Sequence, residues 1–369
     1  MIEYIAYAVF GFALLRFLIA SLNMLFLETL PKHPRIGEAE RGKVSILIPA
    51  RNEADNISHL LSDLKRVNDE SIREIIILDD QSEDNTAEIV SHYCRDDARL
   101  RLISSSSLPE GWLGKNHACH SLAKEAEGDF FLFLDADVRI EPGFVDRAMA
   151  YCQKKKTDLF TVFPTQDMET WAEKVSVPNM HIILLTLLFL PFVRLSCFSS
   201  LSAANGQCML FRRNAYQALL PHYTYRHSKA EDIEIARYFK RKRRKVACLT
   251  GIKSIHCKMY SDLQGALDGF SKNVTYFFGG ANAYPPALLF WSVTTFGIVP
   301  LLLSSSPIFA LYYIGIVIVT RLMVSLTAKQ SSFYNILLII PQQIMLGAFI
   351  LKSWINKRRR EFRWKGRTL

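Results

Sequence analysis

The chain has 369 residues and a mass of 42.2 kDa; half of its residues are hydrophobic and 22% are charged. This composition excludes an intrinsically disordered chain, and the absence of a Gly-X-Y or heptad repeat in the sequence excludes a fibrous one. The formal net charge is +10, and a mean hydropathy of +0.10 in so long a chain indicates a membrane protein rather than a simple soluble enzyme.

The first predicted element is an apolar stretch at residues 4–27, long enough to cross about 30 Å of hydrocarbon as a helix. Glu3 precedes the stretch, and Lys32 and Arg35 follow it, which favours an uncleaved anchor over a cleaved signal peptide. By the positive-inside rule the same two basic residues predict a cytoplasmic domain after the anchor. Arg16, near the middle, is expected to snorkel or to be tolerated through a tilt, with a functional intramembrane charge as the alternative.

From residue 44 onward, short apolar strands alternate with polar helices, which predicts an α/β domain with a mostly parallel sheet and flanking helices. The predicted strands cover residues 44–48, 75–78, 100–103 and 130–134, and the predicted helices cover residues 55–67, 86–93 and 116–127. Three of the strands run into polar clusters, at residues 51–53, 79–80 and 135–137. Because ligands of such sheets bind beyond the carboxyl ends of the strands, the three clusters are expected to share one site.

Asp135 and Asp137 follow a buried strand at a spacing that lets two carboxylates hold one hard divalent cation. Such a cation bridges the protein to diphosphate oxygens and stabilises the charge that develops on a leaving group. The sequence has neither G-x-x-x-x-G-K-[ST] nor G-x-G-x-x-G, which disfavours P-loop NTPases and Rossmann dehydrogenases. Seven scattered cysteines without a C-x-x-C pair disfavour a zinc ribbon and a disulfide framework.

Four segments resemble, in their order, the successive motifs of family 2 glycosyltransferases: residues 44–53 (VSILIPARNE), 79–86 (DDQSEDNT), 135–138 (DADV) and 231–232 (ED). The resemblance implies the α/β GT-A fold of nucleotide-diphospho-sugar transferases over residues 44–260. Residues 111–120 (GWLGKNHACH) and 269–273 (GFSKN) are similar to a membrane-anchored subgroup that includes the diaponeurosporenoate and hopanoid-associated glycosyltransferases.

The resemblance also implies roles for the matching residues on the donor side. The nucleotide would be held by Pro49, Ala50, Arg51 and Glu53 at its base and ribose, by Asp80 at the base, by Lys115 near the diphosphate or sugar, and by Asp135 at the ribose or the metal. Asp137 would coordinate Mg²⁺ or Mn²⁺. A solvated lysine is the alternative interpretation of Lys115.

On the acceptor side, Asp232 matches the general base of the family, and Glu231 precedes it. Asp232 would take the proton of an acceptor hydroxyl as that oxygen attacks the anomeric carbon, which inverts the configuration of the sugar. A carboxylate suits this role because it is ionised at neutral pH, and a helix start favours the ionised form. A helix cap is the alternative for this pair. Residues 205–207 (NGQ) resemble a loop near the donor sugar, and His256 is expected to be structural, with a metal or phosphate contact as its alternative.

Three further apolar stretches, at residues 286–303, 307–326 and 333–351, predict a membrane region after the catalytic domain. Three full crossings would place the basic tail outside, against the positive-inside rule, so residues 341–343 (PQQ) are expected to make the last stretch re-entrant. Residues 182–193 are too short to span; they are expected to press the domain onto the bilayer, with a buried core helix as the alternative.

Basic residues are concentrated in two segments: residues 240–245 are all basic, and the tail at 352–369 has eight basic residues and one acidic residue. Beside membrane segments, these charges favour anionic lipid headgroups over nucleic acid, so no nucleic-acid partner is predicted. Nothing in the sequence specifies an oligomeric state.

The predicted organisation is a transmembrane anchor at residues 1–28, a juxtamembrane linker at 29–43, a catalytic domain at 44–260 (nucleotide half 44–165, acceptor half 166–260), an amphipathic juxtamembrane segment at 261–285, a transmembrane region at 286–351 and a basic tail at 352–369. Together these features predict a multi-pass protein of the cell membrane with a cytoplasmic catalytic domain.

The predicted function is the transfer of one sugar from a nucleotide-sugar donor, with a UDP-sugar favoured, to a membrane lipid or terpenoid acceptor. Processive polysaccharide synthases of this family carry Gln-x-x-Arg-Trp after the Glu-Asp pair, and residues 237–245 (RYFKRKRRK) lack it, which disfavours a long polymer. Synthesis of a polysaccharide or cell-envelope glycan and a catalytically silent membrane scaffold with the same fold are the alternatives.

Overall fold

The computed structural model describes residues 1–32, 42–105, 107–260 and 262–359, together with the backbone of two short paired strands, β9 (Arg363–Trp364) and β10 (Arg367–Thr368). Most of the predicted linker, including Arg35, and most of the predicted tail after residue 359 lie outside the described residues. The strands of the main sheet are β1 (Val44–Ala50), β2 (Ile72–Asp79), β3 (Leu100–Ser104), β4 (Phe130–Leu134), β5 (Val138–Ile140), β6 (Leu159–Gln166), β7 (Cys208–Arg212) and β8 (Val246–Cys257).

These eight strands form one mixed sheet in the order β3-β2-β1-β4-β7-β6-β8-β5. The neighbours from β3 to β4 are parallel, as are β6 and β8, whereas β7 is antiparallel to β4 and β6 and β5 is antiparallel to β8. In the register of β1 and β2, Ala50 pairs with Asp79, so the residues that follow these strands lie side by side at one edge of the sheet. The four strands that the sequence predicted, β1 to β4, therefore have the expected parallel arrangement, whereas the sheet as a whole is mixed.

Helices cover both faces of the sheet and continue into the apolar ends of the chain. They are α1 (Ile2–Leu25), α2 (Ala54–Arg66), α3 (Thr86–Asp96), α4 (Gly114–Glu125), α5 (Phe144–Lys155), α6 (Trp171–Ser176), α7 (Pro178–Leu187), α8 (Pro191–Leu195), α9 (Arg213–Leu219), α10 (Pro221–Thr224), α11 (Glu231–Arg241), α12 (Leu263–Asn273), α13 (Tyr284–Phe296), α14 (Ile298–Leu302), α15 (Ile308–Thr327), α16 (Ser332–Leu337) and α17 (Ile339–Arg359).

The sheet separates two apolar cores because successive side chains of a strand point to opposite faces. Ile46 and Ile48 of β1 pack into the core beneath α2, whereas Leu47 faces the core on the other side. This second core also contains Val324 of α15 and Phe349 of α17. The catalytic domain and the apolar C-terminal helices therefore share one continuous core.

Among the described residues, α1 and α15 are the two helices that are long and apolar enough to cross a membrane. The predicted stretch at 286–303 is divided near Gly297 into α13 and α14, and the stretch at 333–351 is divided near Leu338 into α16 and α17. Gln342 of α17 is buried and donates from Nε2 to the carbonyl oxygen of Lys174 at 2.9 Å. The apolar pattern in these two stretches thus corresponds to short or internally packed helices.

Arg16 differs from its predicted snorkelling arrangement, because its side chain is buried between helices. Its Nε donates to Thr186 Oγ1 of α7 at 3.2 Å, and its guanidinium lies 5.0 Å from the ring centroid of Phe290 in α13. The segment at 182–193 lies in α7 and α8, where α7 packs against α1 and α15 with Ile182 and Leu185 buried. This position corresponds to the buried-helix alternative.

The start of the predicted basic tail lies beside the catalytic domain. Lys352 Nζ is 2.6 Å from Asp268 Oδ1 of α12, and Asn356, one helical turn further on, lines the same cavity as Asp268. The C-terminal end of α17 is therefore on the catalytic side of the structure.

Gly251 of β8 is expected to be required for the close packing of the end of α15 against the catalytic domain. Its φ is +68°, and an added Cβ would lie 2.2 Å from the carbonyl oxygen of Thr327 at the end of α15. We expect Gly251→Ala to lower the free energy of unfolding by about 2–4 kcal/mol, through backbone strain and overpacking together. Gly143→Ala is the control: its φ is +82°, but the nearest atom is 3.8 Å away, so about 1–2 kcal/mol is expected. Equal losses of Tm in the two variants would contradict this role.

Candidate active site

A cavity of about 880 Å³ lies at the carboxyl edge of the parallel strands. All ten predicted site residues line it: Pro49, Ala50, Arg51, Glu53, Asp80, Lys115, Asp135, Asp137, Glu231 and Asp232. The predicted loop at residues 205–207 lines it as well. The structure therefore brings together residues as far apart in the chain as Pro49 and Asp232, at the edge of the sheet where a shared site was predicted.

The turns after β1 and β2 are held together by Arg51. Its Nη1 donates to the carbonyl oxygens of Asp80 and Gln81, both at 2.7 Å, and its side chain is 7% exposed. The backbone N–H of Asp80 donates to the carbonyl oxygen of Ala50 at 2.8 Å. Asn52 and Gln81 both have positive φ, of 51° and 58°, which lets the chain turn sharply out of each strand. Arg51 thus shapes the predicted nucleotide pocket through the backbone of both turns.

Lys115, in the first turn of α4, provides the cation at the centre of the cavity. Its Nζ lies 2.8 Å from the carboxylate of Asp135 and 3.5 Å from Glu231 Oε1. Burial lowers the pKa of Lys115, but the carboxylates of Asp135 and Glu231 outweigh burial and raise it well above its ordinary value. The lysine is therefore charged, donates a hydrogen bond to Asp135 and forms an ion pair with Glu231, which excludes a simply solvated side chain.

Asp232 lies at the start of α11 and is held by two backbone N–H groups. Gly206 N donates to its Oδ2 at 3.0 Å, and Ile233 N donates to its Oδ1 at 2.8 Å. Burial raises the pKa of Asp232 above its ordinary value, while these two N–H groups and Lys115 oppose the rise. The carboxylate is thus fixed in orientation and made more basic than an exposed aspartate, as a general base requires.

Asp135 and Asp137 fit a divalent cation that also binds a diphosphate. Asp137 Oδ1 is buried and accepts no hydrogen bond from the described residues, while Oδ2 is 3.4 Å from Gln207 Nε2. Burial raises the pKa of Asp137, and the carboxylates of Asp135 and Glu53 raise it further, so a bound cation would relieve this repulsion. Within the described residues no group of three His, Cys, Asp or Glu side chains could hold a metal. Oxygens of the diphosphate would therefore complete the coordination of a cation held by Asp135 and Asp137.

The loop at 205–207 leaves little space around the catalytic groups. A Cβ at Gly206 would lie 3.2 Å from Lys115 Nζ and 3.4 Å from Glu231 Oε1. His256 lies outside the lining of the cavity, with its ring nitrogens 3.7 Å from Glu141 Oε1 and 3.5 Å from Asp167 Oδ1. This position supports the structural interpretation of His256.

Several lining residues were not predicted as site residues from the sequence. Lys229 and Lys272 add two cations to the cavity, and burial lowers the pKa of each to about 8. Lys229 stands two residues before Glu231, and Lys272 belongs to the segment at 269–273. Their closeness in sequence to these motifs could have indicated that both lysines belong to the site. Asn356 reaches the cavity from α17, and no sequence pattern indicates that long-range packing.

Known proteins resemble the chain in both sequence and fold. The sequence profile of the family named Glycosyl transferase family 2 matches residues 45–220. The 4,4'-diaponeurosporenoate glycosyltransferase of Staphylococcus haemolyticus is 25% identical over 69% of the chain and 66% of its own length. A poly(ribitol-phosphate) beta-N-acetylglucosaminyltransferase of Staphylococcus aureus is 30% identical over 38% of the chain and 26% of its own length. The alignments thus span just under two thirds of the first relative and about a quarter of the second.

The fold of the chain is also that of a solved glycosyltransferase structure. A mannosyltransferase from Pyrobaculum calidifontis, solved in complex with GDP-Man and Mn²⁺, matches 97% of the chain and 100% of its own length, with a TM-score of 0.59 and 16% identity. At this identity the likeness shows the fold alone. Together with the profile match, it confirms the resemblance that the sequence motifs indicated: residues 45–220 match the family 2 glycosyltransferases, and the chain has the GT-A fold.

Proposed function

We propose that this protein is an inverting, metal-dependent glycosyltransferase that moves one sugar from a nucleotide-sugar donor to a membrane lipid or terpenoid acceptor. The observation that carries the proposal is the cavity in which a fixed, basic carboxylate, Asp232, lies near a half-buried cation, Lys115, and a pair of carboxylates suited to a metal.

The donor would lie along the edge of the parallel strands. Its nucleotide would occupy the turns after β1 and β2, where Asp80 lines the pocket that Arg51 shapes. Asp135 and Asp137 would hold Mg²⁺ or Mn²⁺, which supplies charge neutralisation for the diphosphate when bound. Lys115 is placed to exchange its contact with Asp135 for a diphosphate oxygen, and Lys229 and Lys272 add positive charge to the same cavity.

The acceptor hydroxyl would be activated at Asp232. The acceptor oxygen forms a bond to the anomeric carbon, its proton passes to the Asp232 carboxylate, and the bond from the anomeric carbon to the diphosphate breaks with its electron pair leaving on the diphosphate. The hydrogen bonds from Gly206 N and Ile233 N keep the carboxylate aimed during the transfer. A single displacement of this kind inverts the anomeric configuration.

The membrane acceptor is supported by the way the cavity is built into the apolar helices. The core that supports α4 and α11 continues into α15 and α17, and α1 and α15 could each cross a membrane. This arrangement supports a cell-membrane protein, and the basic residues Lys32 and Arg35 after α1 would place its catalytic domain on the cytoplasmic side, where nucleotide sugars are available. An acceptor confined to the same membrane would be presented at high effective concentration.

A glycan acceptor is the second candidate, because the relative that is 30% identical over 151 residues is named for transfer to poly(ribitol-phosphate). A silent scaffold with this fold is the third. Incubation of membranes that contain the protein with UDP- and GDP-sugars, total lipid extract and Mg²⁺ or Mn²⁺ separates the three. We expect a glycolipid product whose formation requires the metal and is lost in both Asp137→Ala and Asp232→Asn. Transfer to glycan alone would indicate the second candidate, and failure to bind any nucleotide sugar the third.

The raised pKa of Asp232 predicts an acid limb in the pH profile of kcat. The base must be ionised, so kcat is retained above its pKa and falls as the pH drops through it, with a slope of about one. Because burial raises this pKa, the limb should lie above the ordinary aspartate value of about 3.9. Measurement of kcat at saturating donor and metal, with Asp232→Glu as a control that should shift the limb, tests this. A flat profile through the acidic range in both forms would contradict the assignment.

A further inference from the structure

A second cavity, of about 1060 Å³, lies next to the catalytic one and is walled mainly by apolar helices. We call it the apolar cavity. Its walls include side chains of α1, α7 and α13, among them Val9, Phe12, Leu184, Leu187, Leu289 and Phe290. Contact of such walls with water is unfavourable, by about 25 cal/mol for each Å² of apolar surface. An apolar occupant is therefore favoured over a hydrated glycan.

The position of the apolar cavity restricts what that occupant is. One wall is α1, a helix long and apolar enough to cross a membrane, so a molecule embedded in that membrane would meet the cavity beside α1. Its volume is at the upper end of the range for small-molecule sites, which suits a long flexible chain better than a compact ring. Leu187 and Leu289 are 36% and 66% exposed, so the walls are accessible without unfolding.

One end of the apolar cavity is polar. Glu234, Arg237 and Arg241 of α11 line it there, as do the serines at positions 199, 200 and 202. The guanidinium of Arg237 donates to the carbonyl oxygens of Tyr276 and Gly279, both at 3.2 Å, and lies 3.6 Å from Glu234 Oε1. This end therefore suits the polar head of an amphipathic molecule whose chain lies among the helices.

The polar end of the apolar cavity adjoins the candidate base. Ala204 and Ile233 line the apolar cavity, whereas their chain neighbours Asn205 and Asp232 line the catalytic cavity. Consecutive Cα atoms are about 3.8 Å apart, so the two cavities are separated by no more than the thickness of these segments. A molecule with its chain in one cavity has its head within reach of the other.

From these positions we propose that the apolar cavity binds the hydrocarbon chain of the acceptor and presents its head group to Asp232. This inference rests on the proposed function, because it assigns the chain of the acceptor that the catalytic cavity would glycosylate. The ligand class is a long-chain or isoprenoid lipid that carries a nucleophilic oxygen at its head.

Two neighbouring leucines of α13 provide a matched test. Leu289 lines the apolar cavity, whereas Leu288, also exposed at 47%, is absent from its lining. Leu289→Trp is expected to raise the KM for the lipid acceptor about tenfold, the effect of keeping about two methylene groups out of the cavity, and to leave the donor KM unchanged. Leu288→Trp should leave both values unchanged. Leu187→Trp fills the same cavity from α7 and replaces Leu289→Trp if that variant fails to fold.

A second readout is independent of activity. Vesicles that contain the full chain and a diazirine-bearing long-chain alcohol are irradiated, and the labelled peptides are mapped by mass spectrometry. We expect label on α7 and α13 residues of the apolar cavity, lost in Leu289→Trp and kept in Leu288→Trp. Lipid transfer with equal acceptor KM in both variants, or label confined to other surfaces, would overturn the cavity assignment and leave the proposed function intact. Sugar transfer to glycan alone would overturn both.

Discussion

Asp232→Asn is expected to lower kcat by about 10³-fold while the affinity for the donor changes by less than about threefold. The substitution keeps the size of the side chain and removes its ability to take a proton from the acceptor. The hydrogen bond from Gly206 N can be kept by the amide oxygen, so the loop next to Lys115 should not move. Steady-state rates with saturating donor, together with calorimetric donor binding, separate the chemical step from binding.

Glu231→Gln is the matched control for this prediction, because Glu231 is the neighbouring carboxylate and lies 3.5 Å from Lys115 Nζ. It should cost less than Asp232→Asn, since its expected effect is on the charge around Lys115 rather than on proton transfer. An Asp232→Asn protein that binds donor and retains more than about a tenth of wild-type kcat would exclude Asp232 as the general base.

Asp137→Ala is expected to abolish metal-dependent donor binding and to reduce kcat/KM by at least about 10²-fold, since the charge stabilisation supplied by a metal amounts to several kcal/mol. Asp137 Oδ1 has no hydrogen-bond donor among the described residues, so its removal breaks few protein contacts and the fold should persist. Titration with Mn²⁺, followed by electron paramagnetic resonance with and without donor, measures the metal directly.

Asp167→Ala is the control for metal binding, because Asp167 is an exposed carboxylate beside His256 and outside the catalytic cavity. It should leave both Mn²⁺ binding and donor binding unchanged. Retention of metal-dependent donor binding by Asp137→Ala would show that the cation is held elsewhere, and loss of Mn²⁺ binding in Asp167→Ala would point to the His256 side of the sheet.

The nucleotide half of the fold was predictable because its signals are local. The strands β1, β2 and β4 are short apolar segments that end in polar clusters, and parallel pairing of such strands places Arg51, Asp80 and Asp135 at one edge. The family motifs added Asp232, which no local pattern connects to Asp135. Every predicted site residue consequently lines the catalytic cavity.

The features that the sequence did not predict depend on contacts between residues far apart in the chain. The antiparallel insertion of β7 between β4 and β6 has no marker in the sequence of either neighbour. Hydropathy predicted a membrane span at 286–303 and a re-entrant membrane segment at 333–351, whereas Gly297 divides the first stretch and buried Gln342 holds the second against Lys174. The burial of Arg16 was also not predictable from local sequence. The cost of burying its charge is offset by a hydrogen bond to Thr186, which lies 170 residues away in the chain.

We propose above all that the protein transfers sugar to a lipid in its own membrane. The most direct test is a competition in one vessel: vesicles that contain the protein and total lipid extract, a soluble cell-envelope polysaccharide, metal and a radiolabelled nucleotide sugar. We predict label in the organic phase, in lipids whose mass has increased by one sugar. This label should be absent when the vesicles contain Asp232→Asn. Label that stays with the polysaccharide, or a ladder of repeated sugar additions, would contradict it.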